Sequence, residues 1–294
     1  MRLAIAMLVH THPAQFERLV HRLRPTVDEV VIHVNTVAED VCQEGRRRLA
    51  NDDHVHFIDE RYRVRWGQYS LVQASLACLR HLRTLGRFDR VLLMSGQDYP
   101  VRPMHEIRAF FEEHPDQQFM EMFRLDQSNW FETQGGPYAP MRRIRNWHFF
   151  YRSRIHWDVP IPGRRLPAGL LPHGGSFWWS LTGDCVDHVL DTVDRQPAIE
   201  RYFRRTFLPD ETFYQTIVGS SPFADAVDQD FRRYVDWTNP NPTPPRILVM
   251  EDFDKVAAST ALFARKMDPV RSEELLTRID RELLLLDASG LCNS

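Results

Sequence analysis

The residues best suited to chemistry in this sequence are Asp210 and Glu211, adjacent carboxylates in the stretch Phe207-Leu208-Pro209-Asp210-Glu211-Thr212-Phe213-Tyr214-Gln215-Thr216-Ile217. Pro209 fixes φ and lacks the N–H that an opening helical turn leaves unpaired, so it predicts a helix that starts there. The unpaired N–H groups and the positive dipole end of such a helix would keep either acid ionised at neutral pH, ready to take a proton from a hydroxyl. Phe213 and Ile217, four apart, would face the core and hold the turn rigid. An acidic first turn is also ordinary helix capping, and the spacing alone leaves both readings open.

Positioning such a pair requires a rigid scaffold, and the chain reads as an α/β one. Leu3–Val9 is a continuous apolar run, the pattern of a central parallel strand covered on both faces. Pro13 opens a helix with Phe16, Leu19, Val20 and Leu23 on one side, and 30–34 is a second strand ending at Asn35. In such a βαβ unit ligands gather at the carboxyl ends of the strands, which makes Asn35 and the loop after Val9 candidate nucleotide contacts. No GxGxxG or GxxxxGK[ST] pattern occurs, so a dinucleotide fingerprint or a P-loop is not expected. A third strand is predicted over 54–58, where His54 and His56 share a face; that spacing can ligate metal, but alternation of polar residues on a strand explains it better.

Ser70 reads as the N-cap of a helix with Leu71, Ala74, Cys78 and Leu82 in its buried stripe; Gln73 lies on its first turn. Trp66-Gly67, just before it, offers an aromatic and an unhindered backbone at the mouth of the sheet, or simply a packing tryptophan beside a turn glycine. The strand 90–94 runs into Ser95-Gly96-Gln97-Asp98-Tyr99-Pro100, a small polar loop of the kind that carries active sites in this architecture. Asp98 there suits a sugar hydroxyl, a metal or stabilisation of its own turn. A helix over 104–114 and a strand over 118–123 follow.

The segment 124–171 is rich in aromatics and arginine (Trp130, Tyr138, Trp147, Phe149, Phe150, Tyr151, Trp157), contains Gly135-Gly136 and has weak periodicity. It reads as a binding loop whose rings suit the apolar faces of sugars, or as an excursion with a small core of its own. A loop entering a strand at 173–181, a helix over 185–193, a short strand over 234–237, an edge strand over 246–249 and a terminal amphipathic helix over 272–286 complete the pattern. The proline-rich 238–245 must be loop.

Composition limits the function classes. The 294 residues, 43% hydrophobic and 26% charged, describe a soluble folded chain, and 37 basic against 40 acidic residues give a net charge of −3 that argues against a nucleic-acid partner. Arginine runs at Arg46-Arg47-Arg48, Arg142-Arg143 and Arg204-Arg205 read as solvated faces, one of which could line a phosphate pocket. The four cysteines, Cys42, Cys78, Cys185 and Cys292, show no CxxC pair, which points to a reducing compartment and away from a zinc site. The apolar N-terminus is too short for a membrane span and lacks a cleavage site.

Taken in order, Trp66-Gly67 through Gln73-Ala74, the loop Ser95–Pro100, Gly175-Ser176-Phe177-Trp178, Pro209-Asp210-Glu211-Thr212-Phe213 and Leu262-Phe263-Ala264-Arg265-Lys266 resemble the core-2/I-branching β-1,6-N-acetylglucosaminyltransferase family, which includes the peptide-O-xylosyltransferases. The resemblance runs to about Asp268. It implies a single GT-A-type nucleotide-diphospho-sugar transferase domain over 1–294, with a mostly parallel central sheet flanked by helices, a nucleotide-binding half at 1–123, an acceptor and catalytic half at 124–268 and a C-terminal helix. The implied reaction is inverting transfer of a sugar, N-acetylglucosamine first and xylose as the alternative, from a UDP-sugar donor to a hydroxyl of a glycan or lipid-linked saccharide.

The family pattern makes Glu211 the catalytic base, puts Asp210, Ser176 and Trp237 on the acceptor side, and places Val9, Asn35, Trp66, Gln73, Asp98, Arg246 and Lys266 on the donor side. The family aspartate of a His-Val-Asp pattern is Asn35 here, so one charge-assisted contact to uridine is lost. No Asp-x-Asp follows a central strand; Arg246 and Lys266 would neutralise the departing diphosphate, so no divalent metal or other cofactor is expected. With neither the anchor nor the disulfides of animal members, the sequence reads as a bacterial-type cytoplasmic enzyme with at most peripheral membrane contact. The other class of reading is an idle saccharide- or nucleotide-binding protein that has kept the fold.

Overall fold

A computed structural model describes residues 1–127, 140–151, 155–161, 164–238 and 244–285. Trp130, Tyr138, Gly135-Gly136, most of the proline-rich stretch, Leu286 and Cys292 lie outside the described residues. The architecture is α/β, with a mostly parallel central sheet flanked by helices. The chain forms two compact units, each assembled from separated segments.

The first unit comprises Met1–Phe57, Phe88–Pro115 and Arg232–Ser294. Its centre is four parallel strands in the order Val55–Phe57, Glu29–Val34, Leu3–Val9 and Arg90–Ser95. Every residue of Leu3–Val9 and Arg90–Ser95 is buried, as expected for strands covered on both faces. The helix Pro13–Leu23 turns Phe16, Leu19, Val20 and Leu23 inward, the stripe read from the sequence. A second helix, Glu39–Arg48, occupies a stretch in which the sequence shows only a solvated arginine run; its burial of Val41, Cys42 and Gly45 is too narrow a stripe to stand out among six charged neighbours. A smaller sheet joins Arg233–Val235 in parallel and Tyr99–Pro100 in antiparallel to Phe263–Arg265. The expected edge strand at 246–249 does not form. Arg246 and Leu248 donate instead to Asp236 O and Lys266 O, at 2.9 and 3.0 Å, from irregular backbone.

The second unit comprises Ile58–Arg87 and Asp116–Phe231. Trp179–Thr182 pairs antiparallel to Gln118–Phe119, which runs parallel to Val227–Asp228. The strand expected over 118–123 is therefore divided, with Phe123–Arg124 pairing separately with His173–Gly174. Helix Gly183–Arg195 is capped by Thr182, whose hydroxyl accepts the Cys185 N–H at 3.2 Å, a contact typically worth about 1 kcal/mol. Helix Ser70–Leu85 buries a face wider than the predicted stripe, from Val72 to Leu82. Ser70 does not cap it; its hydroxyl accepts the Arg65 N–H at 2.9 Å and so closes the preceding turn. The described part of 124–171 is not irregular. It holds a short helix, Pro140–Arg145, and a two-stranded hairpin, Trp147–Tyr151 with Ile155–Val159. At the C-terminus of the first unit the amphipathic helix spans Glu273–Glu282.

Candidate active site

In the second unit, Pro209 does open a turn, but a 3-10 one that lasts only Pro209–Glu211; Thr212, at φ −139°, interrupts it, and the α-helix begins at Phe213 and runs to Val218. Asp210 and Glu211 therefore sit ahead of a six-residue helix, not in its first turn, and dipole stabilisation contributes less than the sequence implies. The turn is held from outside. Leu208, in the left-handed region at φ 48°, donates its N–H to Gly67 O at 3.1 Å, so the scaffold meets a strain of about 1–3 kcal/mol next to the acids. Gly67 itself lies at φ 72°, and a Cβ there would stand 2.7 Å from the Phe207 ring. Trp66 packs edge-on to the same ring at 5.6 Å and remains 61% exposed. Phe213 and Ile217 are buried, as predicted.

Two environments separate the adjacent acids. Glu211 makes an ion pair with the guanidinium of Arg143, whose side chain is 2% exposed while that of Glu211 is 30% exposed. The pair fixes the position of the carboxylate and leaves part of it open to an acceptor hydroxyl. Asp210 has the opposite setting: its Oδ1 is buried without a hydrogen-bond partner among the described residues. Burial, and then repulsion from Glu211, push its carboxyl up to about 7. A third acid, Glu121, is also pushed up, first by burial and then by Glu211, against a hydrogen bond from the Ser176 backbone. The loops carrying these acids meet at Gly175, which donates its N–H to Glu211 O at 3.0 Å; a Cβ at Gly175 would lie 1.9 Å from Glu121 O. Ser176 is thus brought to the acids, its carbonyl accepting from Gln215 Nε2 at 2.6 Å. Gln73 is half-buried on the first turn of its helix.

In the first unit Val9 and Asn35 are neighbours, Asn35 N–H donating to Val9 O at 2.9 Å. The Asn35 side chain closes its own turn, Oδ1 accepting from Val37 N–H at 3.3 Å. Asp98 is fully buried. It accepts the Ser95 N–H at 3.1 Å and lies 3.5 Å from Arg265 and 3.8 Å from Arg233. Of the roles open to it, turn stabilisation is the one this geometry displays, together with neutralisation of two arginines. Gln97, beside it, exchanges hydrogen bonds with Met267, tying this loop to the strand that ends before Lys266.

Arg246 and Lys266 differ sharply. The Arg246 fork holds Asp236 Oδ2 through Nε at 2.9 Å and Nη2 at 2.6 Å, and Nη2 also pairs with Asp252. Two carboxylates fill the guanidinium that the sequence offered to a diphosphate. Asp236, whose carboxyl is held down to about 2, first by the Thr238 hydroxyl, carries this clamp next to Trp237, which is 61% exposed. The Lys266 ammonium has no hydrogen bond to any described residue. Burial and the nearby Arg265 push its pKa down against a weaker pull from Asp268. His10 is pushed down as well, by burial and then by Lys266, His12 and Arg265. Burial and positive crowding around a half-buried ammonium are relieved when an anion binds.

Among the described residues no three His, Cys, Asp or Glu side chains are grouped so as to hold a metal ion. His54 and His56 do share a face, and both turn to Glu29, at 3.1 and 2.7 Å. Cys42, Cys78 and Cys185 are buried thiols.

Sequence reasoning missed Arg143, Glu121 and Asp236. Arg143 sits in an arginine run that reads as solvent-facing; its burial beside Ile144 has no signature in residue type. Glu121 was hidden inside a stretch read as one unbroken strand.

The chain is 27% identical over 307 residues to xylosyltransferase 2 of Rattus norvegicus and 25% identical over 303 residues to xylosyltransferase 1 of Mus musculus, covering 96% of this chain in each case. It spans about a third of the length of these relatives, 34% and 30%. Among solved structures, 4-diphosphocytidyl-2C-methyl-D-erythritol synthase of Anaerococcus prevotii superposes with a TM-score of 0.33 at 10% identity, covering 67% of this chain and 76% of that one. The family model described as Core-2/I-Branching enzyme matches residues 3–257, and the chain belongs to that family.

Proposed function

We propose that the chain is an inverting glycosyltransferase of GT-A type that moves a sugar from a UDP-sugar to an acceptor hydroxyl. Glu211 removes the hydroxyl proton; the oxygen forms a bond to the anomeric carbon as the carbon–oxygen bond to the diphosphate breaks on the opposite face. The observation that carries this reading is the pairing of a partly exposed Glu211 with a buried Arg143, in a chain of the Core-2/I-Branching family. On the donor side, Lys266 meets the developing charge of the diphosphate, and Val9 and Asn35 contact the nucleoside at the ends of two parallel strands. The Arg246 clamp serves to hold the Trp237 segment for the acceptor, and Asp98 sets the loop beneath Lys266. No divalent metal is required. N-acetylglucosamine is the first donor sugar to test. Xylose is a second reading, favoured by the two relatives named xylosyltransferases. Saturation-transfer NMR of the purified chain with UDP, UDP-N-acetylglucosamine and UDP-xylose, before and after exhaustive chelation, tests both. Binding of none of them refutes the donor class, and binding that vanishes on chelation and returns with manganese refutes metal independence.

A further inference from the structure

The hairpin Trp147–Tyr151 with Ile155–Val159 is amphipathic the wrong way round. Its register sets Trp147 opposite Val159 and Phe149 opposite Trp157, and, alternating with these, His148 opposite Asp158 and Phe150 opposite His156. Opposed residues of an antiparallel pair share a face and successive residues alternate. One face therefore carries His148, Phe150, His156 and Asp158, and the other Trp147, Phe149, Tyr151, Trp157 and Val159.

The polar face is the covered one. His148 and His156 share a hydrogen bond at 2.8 Å, the His156 ring stacks on Phe207 at 4.1 Å, and Asp158 is held by Arg142 and Asn146. Burial keeps His148 neutral, its pKa pushed down to about 4. The apolar face is the open one: Tyr151 is 52% exposed, Trp157 46%, Val159 37%, and Ile161, just beyond the strand, 47%. A two-stranded sheet that faced only water would gain by the reverse arrangement.

Cations border this face. The Arg205 guanidinium lies 5.3 Å over the Phe149 ring, and the Arg164 guanidinium 5.8 Å over Trp147. Exposed Arg145 precedes the hairpin and exposed Arg165 follows Arg164. Arg145, Arg165 and Arg205 have no carboxylate partner among the described residues. Asp158, the one acid of the two strands, is already matched by Arg142.

We propose that this face docks on a membrane surface that contains anionic lipid. Tyr151, Trp157, Val159 and Ile161 would enter the boundary between headgroups and acyl chains, and Arg205, stacked at the edge of that face, would meet lipid phosphates. Amphipathic rings belong at that depth, and unpaired arginines complement the negative surface. The branched aliphatic residues separate this surface from a saccharide platform, where rings and hydrogen-bonding groups do the binding. Among the described residues no helix is long and apolar enough to cross a membrane, and the contact proposed is an interfacial one. The inference is independent of which sugar is transferred.

The experiment is sedimentation of the full chain with vesicles of phosphatidylcholine alone and of phosphatidylcholine with about a third phosphatidylserine, at low and high salt. Partition onto the anionic vesicles, weakened by salt, is expected. Trp157→Ser and, separately, Ile161→Ser should each lower it roughly tenfold, from loss of the apolar area that leaves water. Arg205→Glu should lower it on anionic vesicles only. Thermal melts establish that each variant is folded, and the serine at 161, outside the strands, serves if the one at 157 disturbs the hairpin. Absence of vesicle binding, or wild-type partition by both serine variants, overturns the proposal. Binding to a soluble acidic polysaccharide with vesicles ignored would make the face a glycan surface and overturn it equally.

Discussion

The Arg143 guanidinium, almost wholly withdrawn from water, is committed to the carboxylate of Glu211, a residue that keeps nearly a third of its side chain exposed. Burying a cation is costly unless an acid answers it, so the structure ties the position of Glu211 to the stability of the helix that carries Arg143. Replacing Glu211 by Gln keeps the shape and removes the proton acceptor. Sugar transfer should fall about two to four orders of magnitude while UDP binding measured by calorimetry persists. Turnover near the wild-type level would remove Glu211 from the role of base.

Arg143→Ala tests the other partner. It leaves a cavity behind the turn and removes a charge-assisted bond, so unfolding free energy should drop by about 1–3 kcal/mol in a urea titration, with Arg143→Lys recovering part of it. If the alanine variant is as stable as wild type, the pair is incidental.

Asp210 should give the protein a pH-dependent stability of its own. Its carboxyl is pushed from an ordinary 3.8 up to about 7 in the folded state. Between those values the folded chain holds a proton that the unfolded chain has released, so this contribution is present at low pH and is lost as pH rises towards 7. Melting temperatures of wild type and Asp210→Asn across that range should diverge, the variant gaining on wild type as pH rises. Parallel curves would show that Asp210 does not titrate there.

The two cations of the first unit should respond differently to truncation. Lys266→Ala should lower turnover by about a hundredfold and weaken UDP binding without changing the melt, because its ammonium is free to meet a phosphate. Arg246→Ala should act on stability, by about 1–3 kcal/mol, since it leaves Asp236 and Asp252 facing each other without their cation. Equal kinetic losses with unchanged melts would restore the reading in which both grip the diphosphate.

Trp237 stands exposed beside the Asp236 clamp. Trp237→Ala should raise the KM for the acceptor more than that for the donor, as expected of a ring that faces a sugar and not the diphosphate. An equal rise in both would make the ring structural.

The parallel core was legible because burial on both faces leaves a short, almost unbroken apolar run, as at Leu3–Val9 and Arg90–Ser95, too brief for a helix. Pro13 marks a helix start for a local reason, the missing N–H, whereas Pro209 opens only a 3-10 turn and the α-helix waits until Phe213. The elements that were missed depend on partners far along the chain. The Trp147–Val159 hairpin hides because its polar residues are inside and its apolar ones outside, so the usual reading of alternation gives no burial signal. Arg246 looked available because Asp236 and Asp252, which saturate it, are recognisable as partners only in three dimensions. Thr212 interrupts the expected helix although its residue type does not forbid one; the turn is set by contacts from Gly67 and Gly175.

The segmentation of the first unit also has a temporal side. Its parallel strands are complete once Ser95 has been synthesised, but the carboxylate of Asp98 meets Arg233 and Arg265 only after the whole of Asp116–Phe231 has been made. During elongation that carboxylate retains its water, because burying it without an answering cation is prohibitive. The Ser95–Pro100 loop therefore acquires its final packing late, and its Tyr99 later still, when Asp280 has been made, whereas the turn bearing Glu211 can close as soon as its own unit ends. A chain truncated after Phe231 would leave Asp98 without Arg233 and Arg265, and protease sensitivity would be expected to concentrate around Ser95–Pro100.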